Sequence, residues 1–312
     1  MDFPISGTHL NPVLLIATGL LVGVLGGFFG VGGSFLAGPA LFAFGVPMNF
    51  VVGTDLAHIV GKSIVAAQRH RKLGNVDFKL GFLMVAGTLP GVEIGAQGIQ
   101  WLKTHGDVNK VVAIVFIVVL VAISLFVAWE SLKTLKMARD HDLNKSHSLG
   151  SAKTGKGDVS AFAGVAKQLQ RFSPPPMVRL PKSGIKRISI WPIIMVAFFG
   201  GIFSGFLGGG AGYIRLPALV YLLGIPTHLA VGTDLFEIII SAGYGTLTHA
   251  LKGNVDILIA LVMHTGAAIG AQLGATLTNY IGGPRIRLAF LPLPLAGAGL
   301  ILYTLLTGHH LG

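Results

Sequence analysis

A carboxylate motif occurs twice within otherwise apolar sequence. The first copy, VVGTDLAHIV, covers residues 51–60, and the second, AVGTDLFEII, covers residues 230–239. Each Gly-Thr-Asp is followed three residues later by a second titratable residue, which is His58 in one copy and Glu237 in the other. Residues i and i+3 share one face of a helix, so each copy presents a two-residue titratable cluster. Carboxylates inside apolar segments are costly and mark proton or ion sites in membrane proteins.

Two interpretations of Asp55 and Asp234 follow, and they are compatible. In the first, each residue caps a helix start, and Asp234 with Glu237 fits a capping box. In the second, the four residues Asp55, His58, Asp234 and Glu237 bind a coupling proton or cation. Imidazole and carboxyl groups are the side chains that form proton relays in membrane carriers.

A glycine-rich break is the second repeated feature, with GGFFGVGGSF at 26–35 and SGFLGGGAGY at 204–213. Glycine permits left-handed backbone, and a helix interrupted inside a membrane leaves N–H groups that protein, water or ligand must satisfy. The helix N-terminus after such a break favours an anion. The alternative interpretation of the breaks is close helix packing. The candidate substrate-binding residues are Gly30, Gly32, Gly33, Ser34, Thr54, Gly208, Gly209, Gly210, Arg215 and Thr233.

The apolar segments also contain further charged residues and regularly spaced glycines. Arg215 lies beside the second break and is the better candidate for a counter-ion to an anion. Lys62 is either a second counter-ion or a side chain that snorkels toward the headgroups. The run at 69–72, RHRK, is predicted to be a solvated loop that determines topology. Glycines at every fourth position in 87–95 and 266–274 predict a smooth face for close helix packing.

Composition identifies the elements that carry these residues. The chain has 312 residues, of which 52% are hydrophobic and 11% charged, whereas soluble domains carry about 25% charged residues. Windows such as 11–54 and 111–129 contain no charged residue, and one crossing of a bilayer needs about 20 apolar residues. We therefore predict an all-α polytopic membrane protein. The absence of cysteine excludes disulfides and thiol chemistry.

Positive charge is concentrated in one polar segment. Of the 23 Lys and Arg residues, 12 lie in residues 133–187. This pattern is typical of a cytoplasmic loop near anionic lipid and not of nucleic-acid binding. Within this linker, residues 158–172 are predicted to form one short surface helix.

The sequences on the two sides of the linker repeat each other. From GVP at 45–47 and GIP at 224–226 onward, the register holds at 179 residues through VGTDL and GNVD. We predict a duplication with the domains 1–132, 133–187 and 188–312, as is common in transporters. Each half has five apolar segments with a short second one, at 11–30, 34–46, 49–68, 79–100 and 109–132, and at 188–207, 211–224, 227–249, 255–277 and 285–308.

The number of crossings decides how the halves are oriented. Five crossings per half invert the second half, and we predict this inverted repeat with both termini outside and the linker inside. If the short segments are re-entrant, the halves are parallel. The positive-inside rule barely separates the two arrangements.

The repeated motifs together resemble the sulfite exporter TauE/SafE family of membrane transporters. The resemblance rests on the glycine-rich break followed by Pro-Ala-Leu, then Gly-x-Pro, Val-Gly-Thr, Gly-Asn-Val-Asp and the spaced glycines, in both halves. It implies a secondary carrier in the bacterial inner membrane for sulfite, sulfoacetate or related organosulfonates. Many relatives have Ser after Gly-Thr, whereas this chain has Asp in both copies, which puts the particular substrate in doubt.

A mechanism for such a carrier must explain the two aspartates, because an ionised carboxylate repels an anion. Asp55 and Asp234 therefore either bind the coupled proton or are neutralised by Arg215, Lys62 or His58. The expected partners are the sulfur anion, a coupling proton or cation and the lipid bilayer, and a homodimer is left open. No enzyme activity, cofactor or resident metal is expected, because no Walker motif, zinc-ligand spacing or nucleophile elbow is present.

Two rival hypotheses remain. In one, Asp55, His58, Asp234 and Glu237 are ligands in a divalent-cation channel or transporter, which oxygen and imidazole chemistry fits. In the other, the chain is a non-transporting membrane scaffold or sensor that binds partners through its linker.

Overall fold

The structure is a computed structural model that describes residues 1–145, 168–169, 174–280 and 289–308. Ten α-helices dominate this part of the chain, which confirms the predicted all-α polytopic class. They are α1 (Pro12–Phe29), α2 (Ser34–Ala43), α3 (Met48–Lys72), α4 (Phe78–His105), α5 (Val108–Lys145), α6 (Ile190–Leu207), α7 (Gly212–Pro217), α8 (Thr227–Leu251), α9 (Ile257–Leu277) and α10 (Pro292–Thr307).

Helix lengths follow the predicted segments. Six helical stretches among the described residues are long and apolar enough to span a membrane: 12–29, 48–72, 78–105, 108–130, 190–207 and 257–277. The short second segments are α2, of 10 residues, and α7, of 6 residues followed by a π-helical turn at Ala218–Leu222. The predicted linker helix at 158–172 lies outside the described residues apart from residues 168–169.

The two halves interlock through glycine. Gly23 of α1 lies against the backbone of Ala267 in α9, and Gly91 of α4 lies against the backbone of Phe198 in α6. The predicted spaced glycines all meet backbone atoms of the other half at the position of a Cβ, namely Gly87, Gly91, Gly95, Gly266, Gly270 and Gly274. The predicted packing face is thus confirmed. Any side chain there would force the helices apart.

Equivalent helices α3 and α8 run antiparallel beside each other. Thr54, near the start of α3, bonds Asp256 just beyond the end of α8, and Thr233, near the start of α8, bonds Asp77 just beyond the end of α3. This arrangement is compatible with an inverted repeat, and the inverted orientation of the two whole halves stays a prediction.

A short β-hairpin precedes the first helix of each half. The first pairs β1 (Asp2–Phe3) with β2 (Thr8–His9), and the second pairs β3 (Met177–Leu180) with β4 (Ile185–Ser189). Ser6 in the first hairpin donates to Asp256, and Ser183 in the second donates to Asp77, at 2.7 and 2.8 Å. The hairpins therefore cover opposite ends of the α3–α8 pair.

The structure corrects two interpretations of polar residues in α3 and α8: the capping by Asp55 and Asp234, and the loop at 69–72. The helices α3 and α8 begin after Pro47 and Pro226, so Asp55 and Asp234 lie about two turns inside and cap nothing. Proline fixes the backbone at the start of a helix, and this sets the first turn earlier than the Gly-Thr-Asp. The run at 69–72 is the last turn of α3 and not a loop, and His70 within it is buried against the carbonyl of Gly27.

Candidate functional site

Left-handed glycines produce both breaks. In the first, Gly30, Gly32 and Gly33 have φ between 69° and 76°. In the second, the equivalent run Gly208–Gly210 has φ between 69° and 83°, and Ala211 follows at 47°. Residues with a Cβ rarely adopt this conformation, so the sequence of each break is dictated by its backbone.

The two breaks meet in the interior of the protein. The Ser34 hydroxyl donates to the carbonyl of Gly209, which joins the start of α2 to the second break. The Cα of Gly212 lies close to the backbone of Val31 in the first break, with no room for a side chain between them. All four residues are buried. The sequence predicted both breaks, and the structure brings them together.

Arg215 and two carboxylates form a buried ion cluster beside the second break. Arg215 Nε donates to Asp234 Oδ1 at 2.8 Å. Its Nη2 lies 2.6 Å from Glu237 Oε2, an ion-pair contact whose angles do not make a hydrogen bond. All three side chains have 0% exposure. Ser241 also donates to Glu237 Oε2 at 3.3 Å.

The equivalent positions on α3 carry a different set of groups. His58 Nδ1 lies 3.5 Å from Asp55 Oδ1 and 3.3 Å from Lys62 Nζ. Lys62 is only 2% exposed, so the interpretation that it snorkels to the headgroups is wrong. Its ammonium group lies against His58, within the protein, because α3 is packed between α8 and α9.

Both aspartates lie directly against the second break. A Cβ on Gly209 would come within 2.9 Å of Asp55 Oδ2, and one on Gly212 within 2.7 Å of Asp234 Oδ2. The second break is thus in contact with one aspartate of each half, with Asp55 at Gly209 and with Asp234 at Gly212.

Several buried polar atoms around the break have no hydrogen-bond partner among the described residues. They are Asp55 Oδ2, His58 Nε2, Asp234 Oδ2, Glu237 Oε1, Arg215 Nη1 and the hydroxyl of Tyr213. An unpaired buried polar group costs about 1–3 kcal/mol. In a native structure such groups call for an explanation, such as bound water, an ion or a functional role.

The two threonines of the repeated motif have a structural partner that sequence reasoning missed. Thr54 and Thr233 accept bonds from the backbone N–H of Asp256 and Asp77, each at 2.9 Å and each in the other half. Those aspartates cap α9 and α4. The repeated GNVD was the signal, because an Asp before an apolar run is a helix N-cap.

Comparison with known proteins shows which family and which proteins the sequence resembles. The profile described as Sulfite exporter TauE/SafE matches residues 15–301. "Probable membrane transporter protein YunE" of Bacillus subtilis (strain 168) is 26% identical over 86% of this chain and 88% of its own length. "Probable membrane transporter protein YjnA" of the same organism is 25% identical over 85% of this chain and 90% of its own length.

A more distant relative comes from an archaeon. "Probable membrane transporter protein MJ0441" of Methanocaldococcus jannaschii is 23% identical over 88% of this chain and 89% of its own length. No solved structure matches the chain significantly. Because the family profile covers nearly the whole chain, including both breaks and both Gly-Thr-Asp motifs, this protein belongs to the sulfite exporter TauE/SafE family of membrane transporters.

Proposed function

We propose that this protein is a secondary carrier that moves a sulfur-containing anion, such as sulfite, sulfoacetate or a related organosulfonate, across the bacterial inner membrane by proton-coupled alternating access. The observation that carries the proposal is the meeting of two glycine-rich breaks beside five buried charged residues. The family to which the chain belongs, and the transporter names of its relatives, support it. No enzymatic step is part of this function.

The charges around the breaks argue for coupling to protons. Three buried carboxyl groups, those of Asp55, Asp234 and Glu237, face two buried cations, Lys62 and Arg215. With all five ionised and His58 neutral, the site carries one net negative charge and repels an anion, strongly so in an apolar interior. Uptake of a proton by a carboxyl group or by His58 cancels that charge. The anion is therefore expected to bind together with at least one proton.

The arrangement of the helices supports alternating access. Asp55, Asp234, Glu237 and Arg215 are all inaccessible to solvent, so the site is occluded in this conformation. Equivalent hydrogen bonds lie at opposite ends of the antiparallel pair α3 and α8, between Thr54 and Asp256 and between Thr233 and Asp77. Carriers built from inverted repeats open a central site to each side by rocking one repeat against the other.

The rival divalent-cation carrier is disfavoured by the position of Arg215. Its guanidinium lies between Asp234 and Glu237, where a metal ion would have to bind those carboxylates. Among the residues that the structure describes, no group of three or more His, Cys, Asp or Glu side chains has an arrangement that could hold a metal ion.

A ligand panel on the purified protein tests the proposal. Thermal unfolding is measured with sulfite, sulfoacetate and taurine, and separately with Mn²⁺, Ni²⁺ and Zn²⁺, at several pH values. A ligand of the folded state at 100 times its Kd stabilises by about 2.7 kcal/mol. We expect stabilisation by a sulfur anion that grows as the pH falls. Stabilisation by divalent cations with no effect of any anion would contradict the proposal.

A further inference from the structure

A polar stripe runs along α8 from the ion cluster to the end of the helix. After Glu237 it consists of Ser241, Tyr244, Thr248 and Lys252, at spacings of four, three, four and four residues. These spacings keep all five side chains on one helix face. The stripe begins at a side chain with 0% exposure and ends at Lys252, whose side chain is 21% exposed.

Glu93 of α4 joins the outer part of this stripe. Its Oε2 accepts bonds from the Tyr244 hydroxyl at 3.0 Å and from the Thr248 hydroxyl at 3.1 Å. Its Oε1 lies 3.2 Å from Lys252 Nζ. The side chain of Glu93 is 31% exposed at the surface of the protein, whereas that of Glu237 is 0% exposed.

Two hydroxyls on α8 bond the two carboxylates. Ser241 donates to Glu237 at 3.3 Å, and Tyr244 donates to Glu93 at 3.0 Å. Ser241 and Tyr244 are one helical turn apart on the same face of α8. The Glu237 Oε1 atom is buried without a hydrogen-bond partner, so it can accept a proton that arrives by this route.

The stripe is not required by the duplicated fold. At the register of 179 residues, Tyr244 corresponds to Val65, and Glu93 corresponds to Gln272 in the other half. The first half therefore builds the same helix packing without a titratable residue at either position. Its own polar residues differ in kind, with Lys62 in place of Ser241. The stripe is therefore specific to the second half.

The polar and charged groups near Glu93 belong to α4, to α8 or to the residues just after α8. On α4, Gln97 donates to Glu93 Oε1 and Lys103 bonds Asn254 beyond the end of α8. On α8, His249 is buried and bonds the carbonyl of Gly205. The neighbouring α6 contains no titratable residue. Glu93 is thus the acidic group of a local set whose other charged members are Lys252 and Lys103.

We propose that Glu93 receives the coupling proton from the membrane face at which α8 ends and passes it along the stripe to Glu237. This inference rests on the proposed proton-coupled carrier. The proton binds the Glu93 carboxylate, and the Tyr244 and Ser241 hydroxyls each accept one proton and donate another, with water between them. The Glu237 carboxylate takes up the proton, so one positive charge moves from the outer solution into the ion cluster.

The predicted topology identifies that face. The N-terminal hairpin lies at the same end, because Ser6 bonds Asp256 just beyond α8. With both termini outside, as the sequence predicts, the end of α8 that is followed by Lys252 lies at the outer face. The path would then admit protons from the outer face and not from the linker face.

The experiment compares two transport modes in proteoliposomes with radiolabelled sulfite as the probe. One mode is uptake driven by a pH gradient. The other is counterflow of labelled against unlabelled sulfite at equal pH, which needs no net proton movement. The chain contains no cysteine, so a single cysteine placed before Met1 reports the orientation of the protein with an impermeant label. The variants are Glu93→Gln, the conservative Glu93→Asp, and Asp107→Asn.

Asp107→Asn is the matched control. Asp107 is an exposed carboxylate in the turn between α4 and α5, with 51% side-chain exposure, and lies near the same face. We expect this variant to behave as the wild type in both modes. Removal of a group that transfers protons slows the transfer by about 10²–10⁴-fold. Glu93→Gln should therefore slow gradient-driven uptake by at least about 10-fold, while counterflow persists and Glu93→Asp restores much of the uptake.

Two results would overturn the inference. Equal losses of uptake and counterflow in Glu93→Gln would show a structural role. If uptake by Glu93→Gln responds as the wild type does to the pH at the face of the N-terminal hairpin, protons use another route. Failure of the proposed function looks different. In that case the wild type itself shows neither uptake nor counterflow of any sulfur anion.

Discussion

The strongest prediction about the ion cluster concerns the replacement of Arg215 by Met. This change leaves Asp234 and Glu237 buried, with 0% exposure, and without the guanidinium that lies 2.8 and 2.6 Å away. Removal of one partner from a buried ion pair costs about 3–5 kcal/mol, because it leaves uncompensated charge in a medium of low dielectric. On the scale of soluble domains, about 2–4 °C per kcal/mol, melting should fall by roughly 6–20 °C.

A charge-neutral variant separates the cost of the uncompensated charge from the loss of packing. The triple variant Arg215→Met, Asp234→Asn and Glu237→Gln keeps the volumes of the three side chains and removes all their charges. The large cost of breaking a buried ion pair comes from the uncompensated charge, and replacement of whole clusters by hydrophobic residues of similar volume is often neutral or stabilising. The triple variant should therefore melt near the wild type. The deficit of Arg215→Met alone should shrink as the pH falls, because protonation removes the uncompensated negative charge.

The assay is thermal unfolding in detergent, followed by the loss of the monodisperse peak in size-exclusion chromatography. The control is Lys110→Met, which breaks the exposed pair Lys110–Asp107, whose atoms lie 3.6 Å apart. Exposed pairs contribute about 0–1 kcal/mol, so this control should hardly change melting. The reasoning is refuted if Arg215→Met is no less stable than Lys110→Met, or if the triple variant is as unstable as Arg215→Met.

Three further predictions test the break, the coupling and the contacts between halves. Gly209→Ala should abolish sulfite transport and lower stability by at least about 1–2 kcal/mol, because φ is 69° and a Cβ would overlap Ser34; a fully active variant would contradict the close approach. Asp55→Asn combined with Asp234→Asn should flatten the pH dependence of uptake in proteoliposomes, and an unchanged profile would remove both from coupling. Thr233→Val should cost about 1–3 kcal/mol in thermal unfolding, as an N–H loses its partner, and a cost near zero would count against this bond.

Much of the architecture could be predicted because the chain repeats itself. The alternation of apolar segments with GVP, GNVD and the spaced glycines fixed the number of helices and the two breaks. Spaced glycines on α4 and α9 indicated close packing because a glycine face has no other common use in membrane helices. The sequence alone could not say that these faces pack against the other half, since a periodic pattern identifies a face and not its partner.

Partners within the site were harder to predict for the same reason. Arg215 and Asp234 were each singled out as unusual charges, and neutralisation of Asp234 by Arg215 was one of two alternatives. Nothing in the spacing of 19 residues required the contact that the structure shows. Whether these side chains bind an anion and a proton stays a prediction.

One interpretation was wrong and one feature was missed. Capping of a helix start was one of two interpretations of Asp55 and Asp234, because Asp is a strong cap, but both helices begin after the preceding prolines, about two turns earlier. The second hairpin lies in a segment interpreted as linker because it is basic and polar. Its Ser183-Gly184 turn repeats Ser6-Gly7 before α1, so the sequence carried the signal. Two residues of similarity were too few to recognise without the contacts to Asp77 and Asp256.

The central claim is that the meeting breaks bind a sulfur-containing anion together with a proton. Binding of radiolabelled sulfite to the purified protein, measured with the proton uptake that accompanies it in a weakly buffered solution, tests this most directly. We predict saturable binding that takes up at least one proton per anion and that is lost in Gly209→Ala, whose added methyl group would fill the space beside Asp55. Saturable binding without proton uptake, or binding of equal strength in Gly209→Ala, would contradict the account.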